Sequence, residues 1–195
     1  MSAAKGSKLM KPISLLGASL VIACFLSGAQ AGEKPPRTIN ACEFLKTSDV
    51  EAALKIKVEP GQRSDMGENT SGDQAVTGSY TSTCLWRIAT GGAQPANPNL
   101  PLGGASFVVL NLMQWPAGSG GGKKFLQNFR DAAKSGEIDH EPVPVKIGEE
   151  GLWWGDGVAA SKGDRGFGVS VHLVGGREKE RGLEETLARK VAARL

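Results

Sequence analysis

The chain has few of the residues that most often carry chemistry: 2 His, 3 Cys and 1 Tyr among 195 residues. Two imidazoles, His140 and His172, exclude a three-histidine metal centre. No Cys-x-x-Cys occurs, so a zinc ribbon and a thioredoxin-type redox pair are excluded as well. Gly-x-Ser-x-Gly is missing, and with it the usual nucleophile elbow of a hydrolase. Charge of one sign is also scarce. Of 23 basic and 20 acidic residues, Lys5, Lys8 and Lys11 lie within the first 31 positions, which hold no acid. The remainder is balanced at 20 against 20, which removes the electrostatic basis for binding nucleic acid. The longest apolar stretch, Ile13–Leu26, falls short of the ~20 residues that a spanning helix requires.

What is present begins with an export signal over residues 1–31. A positive segment ends at Lys11, the apolar run follows, and Ala29-Gln30-Ala31 supplies the small-x-small pattern for cleavage after Ala31. Met10 offers a second start, since Met10-Lys11-Pro12 also makes an adequate positive segment. A second processing route competes: Val21-Ile22-Ala23-Cys24 fits a lipobox, in which Cys24 would be lipidated. Continuation of the apolar run through Phe25 and Leu26 favours the Ala31 site. Both routes lead out of the cytoplasm, to the periplasm or beyond, with lipid anchoring to the cell envelope as the alternative. Either one leaves Cys42 and Cys84 as an even pair in an oxidising compartment, the setting of a structural disulfide.

Gly32–Asn40, with Pro35-Pro36, reads as an extended leader, and residues 41–195 as a single domain. A first helix is expected over about 45–56, capped by Thr47 or Ser48, with Val50, Ala53 and Leu54 on one face. Two long polar loops are expected at 60–80 and 89–104. Between them Cys84, Trp86 and Ile88 share one face of a strand and Thr83, Leu85 and Arg87 the other. Phe107–Met113 is apolar on both faces, as a central strand is. Phe125, Phe129, Ala132 and Ala133 stripe a helix over 122–135 that Gly136 ends. Val143, Val145 and Ile147 alternate, and the turns at Asp156-Gly157 and Gly163-Asp164 join further strands. A last helix over 180–195 carries Leu183, Leu187, Val191 and Leu195, with Glu184 and Glu185 near its start to suit the dipole. The expected fold is α+β: an antiparallel sheet of five or six strands with three helices packed on it.

Four segments carry a resemblance: Cys42-Glu-Phe-Leu-Lys-Thr-Ser-Asp-Val50, Cys84-Leu-Trp86, Gly148-Glu-Glu-Gly-Leu152 and Leu187-Ala-Arg-Lys-Val-Ala-Ala-Arg-Leu195. Together they resemble a loose group of exported bacterial proteins of unknown function. That group is similar to small envelope lipoproteins and to extracellular sensor domains of bacterial receptor kinases. The resemblance implies an antiparallel sheet covered by helices, a disulfide joining the leader of the first helix to the first strand, and no catalytic residues.

Candidate chemistry is thin. The glycine-rich Pro116–Gly122 joins a strand to a helix, as a phosphate loop does. However, Ala117 replaces the first glycine of a Walker motif and Lys124 the magnesium-binding hydroxyl. Lys123 and Lys124 at that helix start remain candidate anion contacts. Ser170 and His172 share a strand face but stand about 6.5–7 Å apart at Cα, too far for a dependable nucleophile–base pair. His172 is kept as a weak binding candidate. Asp139-His140-Glu141 offers one imidazole and two carboxylates, a poor metal site. Asp65, Glu68 and Asp73 lack calcium-loop spacing. Trp153 and Trp154 are adjacent on a short strand and point to opposite faces, so both are buried only if helices cover both faces. Trp153 is the candidate contact ring. No cofactor and no metal is indicated. The partner class is an envelope protein or a small molecule, and the expected role is an exported, non-catalytic binding module, with an envelope hydrolase as a weaker alternative. Intact mass of envelope-purified protein tests the export reading: an N-terminus at Gly32 is expected, and a diacylglyceryl adduct on Cys24 would establish lipoprotein processing instead.

Overall fold

The computed structural model describes residues 39–69, 78–88, 106–173 and 177–195, the side chains of 177–179 aside. The export segment with Cys24 and Ala31, the leader up to residue 38, Asp73 and the loop 89–104 lie outside the described residues. Eleven elements follow one another: α1 (Ala41–Phe44), α2 (Thr47–Leu54), β1 (Gln62–Glu68), β2 (Tyr80–Arg87), β3 (Phe107–Gln114), α3 (Gly121–Ser135), β4 (Val143–Pro144), β5 (Glu150–Trp153), β6 (Val158–Lys162), β7 (Arg165–His172) and α4 (Arg177–Ala192). The strands form one antiparallel sheet in the order β1-β2-β3-β7-β6-β5-β4. The α+β class is as expected. The counts differ, with seven strands and four helices among the described residues.

Two of those differences have plain physical causes. β1 lies in what reads as a polar loop, because Gln-Arg-Ser-Asp-Met-Gly-Glu faces solvent along nearly its whole length and leaves no apolar alternation. Backbone pairing to β2 holds it, with a bulge between Asp65 and Gly67 at which Gly67 adopts φ 69°. The strand suggested by Val143, Val145 and Ile147 shrinks to Val143–Pro144 at the sheet edge. Pro144 has no N–H to give and sits on the edge strand, and the ladder ends just past it: Val145 N–H still donates to Gly151 O at 3.0 Å, but Ile147 N–H turns back to Val145 O at 3.0 Å.

The first helix is likewise divided. Asn40 caps α1 by accepting the Cys42 N–H at 3.1 Å. Lys46, rather than Thr47 or Ser48, precedes α2, and Asp49 Oδ2 accepts the Lys46 N–H at 3.0 Å. Thr47 Oγ1 is occupied elsewhere, accepting from Trp86 Nε1 at 3.2 Å. The Cys42–Cys84 disulfide then fastens α1 to β2, with Cα atoms 5.2 Å apart. A Cβ on Gly61 would stand 2.7 Å from both Cys84 Sγ and Trp86 Nε1, so only glycine fits beside the bridge.

Strand parity sorts the core into two layers. Trp86, Val108, Leu110, Leu112, Phe167, Val169 and Val171 face one side, where Val50 of α2 and Leu187, Ala188 and Val191 of α4 join them. Met113, Trp115, Leu152 and Ala159 face the other and pack with Phe125 and Leu126 of α3. The glycines before α3 are not a loose linker. A Cβ on Gly121 would lie 2.1 Å from the Trp115 ring, which requires glycine where the helix meets the sheet.

The chain end is fixed by charge. Asp49 accepts from Arg194 and lies 3.5 Å from Lys190 Nζ. The Arg194 guanidinium holds its carboxyl at about 2, so this contribution to stability is complete above the ordinary aspartate range and is lost as pH falls through 2.

Candidate functional site

The helices cover the two sheet faces unequally. On the second face α3 packs over β5, β6 and β7, and Arg130 of α3 pairs with Glu150 at the start of β5. Its Phe129 completes that layer, with the ring 5.5 Å from Trp154 and 5.2 Å from Phe125. The β1–β2–β3 half of the same face has no described helix over it. Register places Gln62 opposite Leu85, Ser64 opposite Thr83, Leu85 opposite Val109, and Phe107 opposite His172. A groove of about 380 Å³ lies there, with a floor of Leu85, Phe107 and Val109. Gln62, Ser64 and Thr83 form its polar margin.

The groove carries little net charge. Arg63 at its margin is paired with Asp65 at 2.7 Å and donates to the Ile39 carbonyl at 3.1 Å. That pairing raises the guanidinium's affinity for its proton and lowers the Asp65 carboxyl. Thr83 Oγ1 donates to Asn111 Oδ1 at 2.8 Å, so one polar pair on this face is already satisfied internally. The Phe107 and His172 rings lie 4.5 Å apart. The arrangement suits uncharged, apolar matter.

The residues singled out by sequence fall in separate places. His172 is on the open face, its ring against Phe107. Ser170 shares that face, and no hydrogen bond joins the two among the described residues. Lys123 and Lys124 are exposed in the first turn of α3, away from the groove. Donors at and just before that helix start are taken by the chain itself: Gly118 N–H gives to Asp164 Oδ2 at 2.9 Å and Gly121 N–H to Ser119 Oγ at 3.2 Å. Asp65 is spent on Arg63, and Glu68 is exposed at the end of β1. His140 lies over Trp153 with ring centres 6.3 Å apart.

Trp153 does not line the groove. It packs on the first face, half-buried, with Arg181 4.7 Å from the ring centre. Trp154 packs on the second, so the two rings do take opposite faces, each under a helix. Trp153 Nε1 donates to Glu184 Oε2 at 2.9 Å, and the Val171 N–H donates to Glu184 Oε1 at 3.2 Å. Glu184 is only 2% exposed. The sequence places it near the start of a helix over 180–195, where it suits the dipole, but α4 begins at Arg177 and Glu184 lies mid-helix. It precedes Leu187 and Ala188 by three and four positions, which puts it on the buried face.

Comparison of the chain with protein-family models, curated proteins and solved structures finds no match.

Burial raises the Glu184 carboxyl to about 7, aided by the nearby Glu180 and Asp156 carboxylates and opposed by its two hydrogen bonds. A raised acid favours the folded state at low pH, and that contribution disappears as pH rises through 7. Glu184→Gln is expected to remove this dependence. Between about pH 4.5 and 7 the wild type should lose roughly 2–3 kcal/mol relative to the variant. Parallel urea titrations of the two proteins across that range check it, and equal pH slopes would contradict it.

Proposed function

We propose that this protein is an exported, non-catalytic binding module of the cell envelope, and that its contact surface is the open half of the second sheet face. One observation carries the reading: a rigid three-strand platform presents Leu85, Phe107 and Val109 in a groove of about 380 Å³, within the range of small-molecule sites. Neutral margins and an apolar floor match a small uncharged apolar ligand, or an apolar side chain of an envelope protein. The pattern over residues 1–31 supports export, and the Cys42–Cys84 bridge is in keeping with an oxidising compartment. Among the described residues no helix is long and apolar enough to cross a membrane. The separation of Ser170 from a hydrogen-bonded base favours binding over hydrolysis.

Titration with the uncharged dye N-phenyl-1-naphthylamine, read by its fluorescence, tests the reading. Saturable binding is expected for the wild type. Loss of that binding is expected for Leu85→Lys/Val109→Glu with the melting temperature retained, since the two positions face each other on the half-exposed side of the sheet and the new charges are of opposite sign. Binding that is unsaturable, or unchanged in the folded double variant, would overturn it.

A further inference from the structure

A second depression lies on another part of the molecule, where the turn before β5, the end of β6 and the last turn of α4 meet. It has a volume of about 320 Å³ and is independent of the apolar groove. Three elements each send one cation to it: Lys146 from the turn, Lys162 from β6 and Arg189 from α4. Ile147, 3% exposed, forms part of its apolar floor. We propose that this cleft binds a compact oxyanion, one bearing a phosphate or a pair of carboxylates.

The charge bookkeeping supports an anion. Lys146 and Lys162 enter no ion pair among the described residues. Arg189 is partly satisfied by Glu185 at 2.9 Å, which leaves guanidinium donors to spare. Glu149 is the one acid in the lining, and its Oε2 accepts the Gly163 N–H at 3.1 Å. Because the chain beyond residue 31 is electrically balanced, three converging cations are a local concentration and not a general basic surface.

The backbone shapes the wall. Gly148 adopts φ 69°, and a Cβ there would stand 2.5 Å from the Ser161 carbonyl oxygen, so the turn can approach β6 only with glycine. Glu149 N–H donates to that same carbonyl at 2.9 Å and fixes the turn beside Lys162. The negative end of α4 is blunted, because the carbonyls of Arg189 and Val191 accept from Ala193, Arg194 and Leu195. Two mobile ammonium groups and one guanidinium fork can then close on separate anionic oxygens above an apolar base.

Amide-resolved NMR titration of the isotopically labelled full chain, at constant ionic strength, tests the site. Inorganic phosphate serves as one probe and succinate as the other, which separates phosphate from dicarboxylate preference. Saturable shifts at 146–149, 162–163 and 189–193 with either probe are expected. Lys146→Gln/Lys162→Gln should weaken the binding at least tenfold, while Lys146→Arg/Lys162→Arg retains it. Both lysines are exposed, so the variants should keep the wild-type melting temperature. Shifts that fail to saturate with both probes, that sodium chloride reproduces, or that persist unchanged in the folded Gln variant would overturn the proposal.

Discussion

The pairing of β3 with β7 is the constraint on which the other placements rest. Eight consecutive residues of each strand are matched, from Phe107 opposite His172 to Gln114 opposite Arg165. That register decides which side of the sheet every neighbour occupies. Val108, Leu110 and Leu112 meet Val171, Val169 and Phe167 in the larger core, while Phe107, Val109 and Asn111 turn to the opposite face. A slip of one residue would exchange the two sets and bring Asn111 into the core. Because β2 is paired to β3 along its own eight residues, Cys84 and Trp86 inherit the same parity, and the disulfide to α1 can form only in that register.

Coverage follows from how each helix leaves the sheet. α4 begins after β7 and returns over the larger core, where Glu184 is held between the Val171 N–H and Trp153. Those hydrogen bonds join α4 to β7 and to β5, two strands separated by β6. α3 instead leaves β3 through the tight glycine contact with Trp115 and crosses the β5–β7 half of the second face. The three-strand remainder therefore keeps Leu85 and Val109 only half-buried. Unequal helix cover, and not any particular reactive side chain, is what generates the candidate site.

Much of this layout is legible in the sequence wherever burial imposes a period. β2 shows its faces through alternation, β3 its central place through apolar residues on both faces, α3 and the end of α4 their apolar stripes, and Trp153 and Trp154 their opposite faces through adjacency on a strand. Segments without such a period are not legible: β1 is polar on both sides, and α1 is a single turn defined by Asn40 and the disulfide. The groove was equally hidden. Its walls come from residues 62–64, 83–85 and 107–109, which only the pairing of β1, β2 and β3 brings together. The basic cleft joins Lys146, Lys162 and Arg189 from a turn, the end of a strand and a helix, a juxtaposition with no local signature. Glu184 is the exception. Its place in the apolar phase of α4 is readable from Leu187 and Ala188, but a helix start placed at 180 instead of Arg177 makes the same acid look like a dipole partner.

Thiol accessibility on β3 tests the unequal cover most directly. In a Cys24→Ser background, Val109→Cys and Leu110→Cys place a single new thiol on neighbouring positions that face opposite sides of one strand. Labelling of native protein with a maleimide should modify Val109→Cys within roughly tenfold of its rate in the unfolded chain, and leave Leu110→Cys protected by several orders of magnitude. Equal protection of the two thiols would show that the second face is closed over β1–β3, and would contradict the open platform on which the functional reading stands.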